Sequence, residues 1–358
     1  MFLVGKTEVD QIRNDKSLLV IHFRFVGDSE ADALPGPRFA REKFPFATLP
    51  TTGSTAPRMN LVELDRISKA YDTKIAVHEL SLAIEAGQMF GLLGPNGAGK
   101  TSTIRMMIGM TLPDSGTVTL FGQPFSRKSL HRVGYLPEER GLYKKMKVLD
   151  QLVLLGQLHG LKATQAENRA RRWCERLEIA GSLDKKTEEL SKGMQQKIQF
   201  IAAILHDPEL LIMDEPFSGL DPVNTVMLQD VLVELKNKGK AVLFSTHRMD
   251  QVEKLCDSIC LVHQGDAVLT GTVREIKSRY PKNRLRVRYE GDAAFLSHPS
   301  IAEARQSNGT AEIRLRDGAD PQQVLAAAMA KARVTYFDVM EPTLEEIFIE
   351  TVGGKANA

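Results

Sequence analysis

GPNGAGKT, residues 94–101, follows the apolar run QMFGLLG (88–94) and opens onto TSTIRMMIGM (101–110). A buried strand, a glycine-rich turn and a helix are the local order that this stretch predicts. The turn fits the pattern GxxxxGK[ST], in which glycines let backbone N–H groups close around phosphate oxygens. Gly94, Pro95, Asn96, Gly97, Ala98, Gly99, Lys100 and Thr101, with Ser102 next in line, are the candidate cradle. Lys100 would reach the β- and γ-phosphates of a nucleotide, and Thr101 would ligate Mg2+. A helix opening at Lys100 and Thr101 also sets its free N–H groups and positive dipole end against those phosphates. An isolated match of this kind is also compatible with plain structural punctuation, so the rest of the chain has to decide.

Four more motifs follow in order: LSKGMQQ (190–196), LLIMDEP (210–216), SGLD (218–221) and STH (245–247). The apolar runs ELLIMDE (209–215) and AVLFSTH (241–247), with a helical stretch between them, predict a parallel sheet with right-handed crossovers. Asp214 and Glu215 close the first run, so their carboxylates are expected at the C-terminal edge of the sheet, where ligands of open α/β sheets bind. Asp214 would hold Mg2+ and Glu215 would be the general base for water attacking the γ-phosphate. Ser191 and Gly193 offer a hydroxyl and backbone N–H groups at a helix start. From about 146 to 192 the text is helical and charged, with apolar residues at three and four spacing.

Over residues 61–270 these motifs resemble the ATP-binding cassette (ABC) ATPases, and LSKGMQQ looks like that family's signature sequence. YLPEERGLY (135–143) and EPTLEEIFIETVG (341–353) are similar to the sodium-efflux ATPase branch of ABC-2 type exporters. The resemblance implies a P-loop NTPase α/β fold of the ABC ATPase kind with an inserted helical subdomain, and ATP and Mg2+ as ligands. By the same likeness His247 is the switch that reads the γ-phosphate. Tyr71 would stack on adenine, with a core tyrosine as the competing reading. Ser191 and Gly193 would complete the site of a second copy of the chain, with Asp221 lining the interface. Glu138 stands where most of the family has glutamine, and a carboxylate there could serve as a metal ligand. The partners implied are a second copy and a multi-span membrane subunit, at the cytoplasmic face of the cell membrane. Sodium, another cation or a small toxic compound is the cargo suggested. The rival is a soluble ABC ATPase acting on ribosomes or DNA, which would usually carry two cassettes or a long coiled-coil interruption.

The bulk numbers agree with this reading. The 358 residues hold 47 basic and 45 acidic side chains, a formal charge of +2 that gives no reason to expect nucleic acid as the main partner. No stretch approaches the roughly 18 consecutive apolar residues of a membrane helix. Cys174, Cys256 and Cys260 are too few for a disulfide framework and lack a second pair at zinc-like spacing, which predicts reduced cysteines. The N-terminus does not read as a secretory signal.

Three units are expected along the chain. Residues 1–58 carry one strand-like run (18–26) and then a Pro-, Gly-, Ser- and Thr-rich stretch, expected to be a disordered extension or a mis-set start before Met59. Residues 59–275 would form the ATPase domain. Residues 283–353 would form a small α+β domain, with RLRVRYE (284–290) and AEIRLRD (311–317) as strands and a turn at Ser307, Asn308 and Gly309 between them. Asp320 with Pro321 predicts a helix start, as does a Thr343/Glu346 capping box, and Gly353 is expected to stop that last helix. Arg284, Arg286 and Arg288 share a strand face, open to anionic headgroups or to plain solvation.

Overall fold

The computed structural model describes residues 59–139 and 141–355; the expectations for residues 1–58 lie outside the described residues. Strands β1 (Asn60–Tyr71) and β2 (Lys74–Glu85) form a hairpin, and β3 (Met89–Leu93) leads through the glycine-rich turn into α1 (Lys100–Met107). Then come β4 (Ser115–Leu120), β5 (Gln123–Pro124) and β6 (Val133–Leu136). The helical insertion follows as α2 (Val148–Leu158), α3 (Ala163–Arg176) and α4 (Lys192–Ile204). The chain returns to the sheet through β7 (Leu210–Asp214), α5 (Pro222–Asn237), β8 (Ala241–Thr246), α6 (Met249–Leu255), β9 (Ser258–His263) and β10 (Asp266–Thr272), and α7 (Val273–Ser278) leads out. Beyond it lie β11 (Arg284–Gly291), β12 (Ile301–Ser307), β13 (Thr310–Leu315), α8 (Pro321–Lys331), β14 (Ala332–Met340) and α9 (Leu344–Lys355).

The central sheet has the order β10-β9-β3-β8-β7-β6, parallel except for β10. Its inner strands are covered on both faces, which is why they read as unbroken apolar runs. The strand period of two divides them between two cores. Met89, Leu93, Leu211, Met213, Val242 and Phe244 face α4, α5 and the helical insertion. Phe90, Leu92, Leu210, Ile212 and Leu243 face α1 and the antiparallel sheet β2-β1-β4-β5.

The C-terminal unit is an antiparallel sheet, β12-β13-β11-β14, with α8 packed on the face of Leu285, Val287, Ile313 and Leu315. Two of its four strands, β12 and β14, escape the sequence reading. The turn at Asn308 and Gly309, both at positive φ, joins β12 to β13 rather than β11 to β13. That conformation suits a two-residue hairpin. In β14 the register against β11 slips between Tyr336 and Val334, so the extra residue Thr335 breaks the alternation that marks a strand. The Asp320 cap and the Thr343/Glu346 box both form. Gly353 does not stop the last helix, which continues to Lys355. On the open sheet face Arg284 pairs with Glu346, Arg286 pairs with Glu312, and Arg288 lies over the Tyr336 ring, so each of the three arginines has a partner within its own unit.

Helix α9 folds back onto the central-sheet body. Leu344 and Ile347 are buried in the same core as Met213 and Phe244. The Leu344 N–H donates to Glu253 on α6, whose other carboxylate oxygen takes a 2.5 Å bond from Lys277. Tyr280 meets Thr351 at 2.9 Å. Among the described residues no helix is long and apolar enough to cross a membrane.

Candidate functional site

Three adjacent parallel strands end side by side, which brings together residues more than a hundred positions apart. Register pairs Leu93 of β3 with Thr246 of β8, and Ser245 with Asp214 of β7. The turn after β3 depends on glycine at two points. At Gly99, with φ +112°, a Cβ would sit 2.3 Å from the Ala76 carbonyl oxygen; at Gly94, with φ +149°, it would sit 2.2 Å from that of Val262. No side chain fits there, so the loop lies directly against neighbouring backbone. The first α1 bond runs from Thr103 N–H to Gly99 O at 2.9 Å, which leaves the N–H groups of Lys100, Thr101 and Ser102 ahead of the helical ladder.

Asp214 is buried to 1% exposure. Its carboxylate accepts from Thr101 Oγ1 at 2.8 Å and from the Ser245 hydroxyl. Glu215, in the left-handed region at φ +49°, leaves the strand so that its side chain meets β8. It accepts from Thr246 Oγ1 at 3.0 Å and from the His247 N–H at 3.0 Å, and His247 Nδ1 lies 2.7 Å away. A carboxylate only accepts, so Nδ1 carries the proton in this bond. Lys100 Nζ, almost wholly buried, donates to the carbonyls of Gly94 at 2.7 Å and Pro95 at 3.1 Å. Burial pulls its pKa down, opposed by the carboxylates of Glu215, Asp214 and Glu138. Glu138 shifts the other way: burial and then the charges of Asp214 and Glu215 raise its pKa.

These groups surround a cleft of about 350 Å3 lined by Tyr71, Lys74, Ala76, Asn96, Gly97, Gly99, Lys100, Thr101, Ser102, Glu138, Asp214 and Glu215. Tyr71 is 42% exposed at the end of β1, so the core-tyrosine reading fails. Lys74 and Ala76 are the lining residues that sequence reading missed. The β1–β2 hairpin, which pairs Tyr71 with Lys74, carries them there. Gly94, Pro95 and Ala98 are not among the lining residues; Gly94 and Ala98 are buried and Pro95 is exposed. Ser191, Gly193 and Asp221 do not line the cleft. Ser191 caps α4 by accepting from Met194 N–H at 3.3 Å, and Asp221 caps α5 by accepting from Asn224 N–H at 2.9 Å. Gly193 faces the SGLD turn, where an added Cβ would lie 3.6 Å from the Gly219 carbonyl oxygen.

The donor set fits a hydrated hard cation: the Thr101 hydroxyl and the Asp214 and Glu138 carboxylates supply only oxygen, as Mg2+ requires. At Gly97 an added Cβ would meet nothing within 4 Å, so the loop is open on its outer side to a polyphosphate chain.

A family model described as ABC transporter matches residues 77–218, and one described as ATP-binding protein DrrA1-3-like, C-terminal domain, matches residues 271–352. The chain is 44% identical over 294 residues to the uncharacterized ABC transporter ATP-binding protein YhaQ of Bacillus subtilis, covering 82% of this chain and 99% of that one. It is 31% identical over 296 residues to Nod factor export ATP-binding protein I of Burkholderia lata, covering 82% and 97% respectively. A solved structure of the ATP binding subunit of an ABC transporter superposes with TM-score 0.58 at 31% identity, over 61% of this chain and 92% of that one.

Proposed function

The chain belongs to the ABC transporter ATP-binding proteins, and from that premise we propose that it powers an exporter, moving a cation such as sodium, or a small compound, through a separate multi-span membrane subunit. It is an ATPase subunit of an ABC transporter. The observation that carries the catalytic reading is the convergence of Lys100, Thr101, Asp214 and Glu215 on one cleft, with Glu215 held by His247. The export reading draws on similarity to a Nod factor export protein and to the DrrA1-3-like C-terminal domain.

The proposed chemistry follows from the side chains. N–H groups of the 94–102 loop and the Lys100 ammonium bind the phosphates, with Lys100 exchanging the Gly94 and Pro95 carbonyls for phosphate oxygens. Thr101 and Asp214, with Glu138, would hold Mg2+, which when bound would supply neutralising charge beside the phosphates. Glu215 accepts a proton from the water that attacks the γ-phosphorus, while the bond to the β,γ-bridging oxygen breaks to give ADP and phosphate. His247 orients Glu215 through its N–H and Nδ1–H. Tyr71 stacks on the adenine. Ser191, Gly193 and Asp221 lie outside the cleft of their own chain; by the family likeness they serve the nucleotide of a second copy, and closure of that dimer drives transport.

The chain sits at the cytoplasmic face of the cell membrane, docked to the membrane subunit. A hollow of about 290 Å3 lined by Leu142, Lys144, Thr187, Glu188 and Gln195 supports docking there. The ribosome or DNA alternative would call for a second cassette or a long coiled coil, whereas the sequence given contains one phosphate loop and the longest described helix, α5, has 16 residues. Glu215→Gln tests the chemistry. Hydrolysis should fall by about 10²- to 10⁴-fold with nucleotide binding retained. Hydrolysis at the original rate would remove Glu215 from the mechanism.

A further inference from the structure

Helix α4, whose first turn carries the signature residues Ser191 and Gly193, runs between the two loops that present Glu138 and Glu215 to the cleft. Two glutamines on it are nearly inaccessible, Gln196 at 3% and Gln199 at 5% exposure. Three positions apart, they share a face of the helix. Gln196 Nε2 donates to the carbonyl of Pro216, the residue after Glu215, at 2.9 Å. Gln199 Nε2 donates to the carbonyls of Pro137 at 3.0 Å and Glu139 at 3.2 Å, the residues on either side of Glu138. Both amide hydrogens of Gln199 are therefore spent on one loop. Its own Oε1 is buried without a partner among the described residues. An orphaned buried acceptor is destabilising, and an apolar side chain of the same length would avoid it. Filling space therefore does not account for an amide at this position. Its grip on the two carbonyls does.

We propose that Gln199 is a positioning residue for Glu138, and that with Gln196 it ties the signature helix to both acidic loops of the cleft. The inference rests on the reading of Glu138 as a group that faces Mg2+. Gln199 does not touch the nucleotide; it acts by fixing the 137–139 backbone, so that a displacement of α4 displaces the Glu138 carboxylate.

The test uses the full chain and the binding of a fluorescent ATP analogue as a function of Mg2+ concentration, with the thermal midpoint measured in parallel. Gln199→Met, which keeps the length and loses the donors, should raise the half-saturating Mg2+ concentration about tenfold, the effect typical of removing an outer partner of a metal ligand. Adding it to Glu138→Gln should give no further rise, because the two act in series. If Gln199→Met does not fold, Gln199→Asn, which withdraws the amide by one methylene, must give the same shift. An Mg2+ curve unchanged by Gln199→Met, with only the thermal midpoint lowered, would show a packing residue and overturn the proposal while leaving Glu138 intact. A curve unchanged by Glu138→Gln itself would overturn the reading of Glu138, and the positioning role with it.

Discussion

Replacing Ile347 by alanine should loosen the C-terminal helix from the ATPase body, and the structure sets the size of the effect. Ile347 is 1% exposed in the main core, whereas Ile349, two residues along the same helix, is 62% exposed. The substitution removes three carbons; at about 0.8 kcal/mol each the transfer loss alone is about 2.4 kcal/mol. With the residual cavity, the cost falls within the range of about 2–5 kcal/mol found for buried Ile→Ala changes. Hydrogen exchange in α9 reads this directly, because local opening of the helix exposes its amides. At about 1.4 kcal/mol per factor of ten, exchange in 344–355 should accelerate by between about 30-fold and a few thousand-fold. Ile349→Ala should change it by less than about threefold, since exposed substitutions stay within about 0.5 kcal/mol. Equal acceleration by the two variants would refute the docking of α9 through Ile347.

Gly99→Ala should abolish binding of a fluorescent nucleotide, because its Cβ would lie 2.3 Å from the Ala76 carbonyl oxygen; Gly97→Ala, with open space around it but φ +78°, should cost only about 1–2 kcal/mol of stability in denaturant titrations. Burial holds His206 near a pKa of about 3, far below its ordinary value, where its ring stacks on His159 at 3.9 Å. The unfolded chain therefore binds a proton at this position that the folded one rejects, so this contribution is complete above pH 6.5 and is lost as pH falls below it. His206→Phe should flatten the denaturant midpoint between pH 6.5 and about 4. Glu234 shows the opposite displacement, held at about 2 by Arg176 and then Lys238. Its contribution is present above pH 4.5 and fades toward pH 2; since the pair is partly exposed, Glu234→Gln should remove no more than about 1 kcal/mol.

Sequence and structure agree most closely where chemistry is contiguous. The glycine-rich turn is read from one stretch because its glycines, Lys100 and Thr101 are adjacent in the chain. Asp214, Glu215 and His247 were legible because an apolar parallel strand ends abruptly in polar residues, and the ends of such strands gather at one edge. Contacts made by tertiary approach leave no such mark. Lys74 and Ala76 reach the cleft only through the β1–β2 hairpin, and Gln196 and Gln199 look like ordinary polar positions of an amphipathic helix until burial reveals them. In the C-terminal unit, the bulge at Thr335 hides β14, and β12 buries only Ile301, too little to produce an alternating pattern. Gly353 failed as a stop signal because a glycine near a helix end permits termination without requiring it.

We propose an ATP-driven pair of these chains working on a membrane subunit. The most direct measurement is purification of tagged Glu215→Gln protein from its native host in mild detergent with ATP, followed by mass spectrometry of what accompanies it. A multi-span membrane protein near equal stoichiometry, together with a dimer that requires ATP, is the expected result. Ribosomal or DNA-bound partners without a membrane protein, or a chain that stays monomeric with ATP bound, would contradict it.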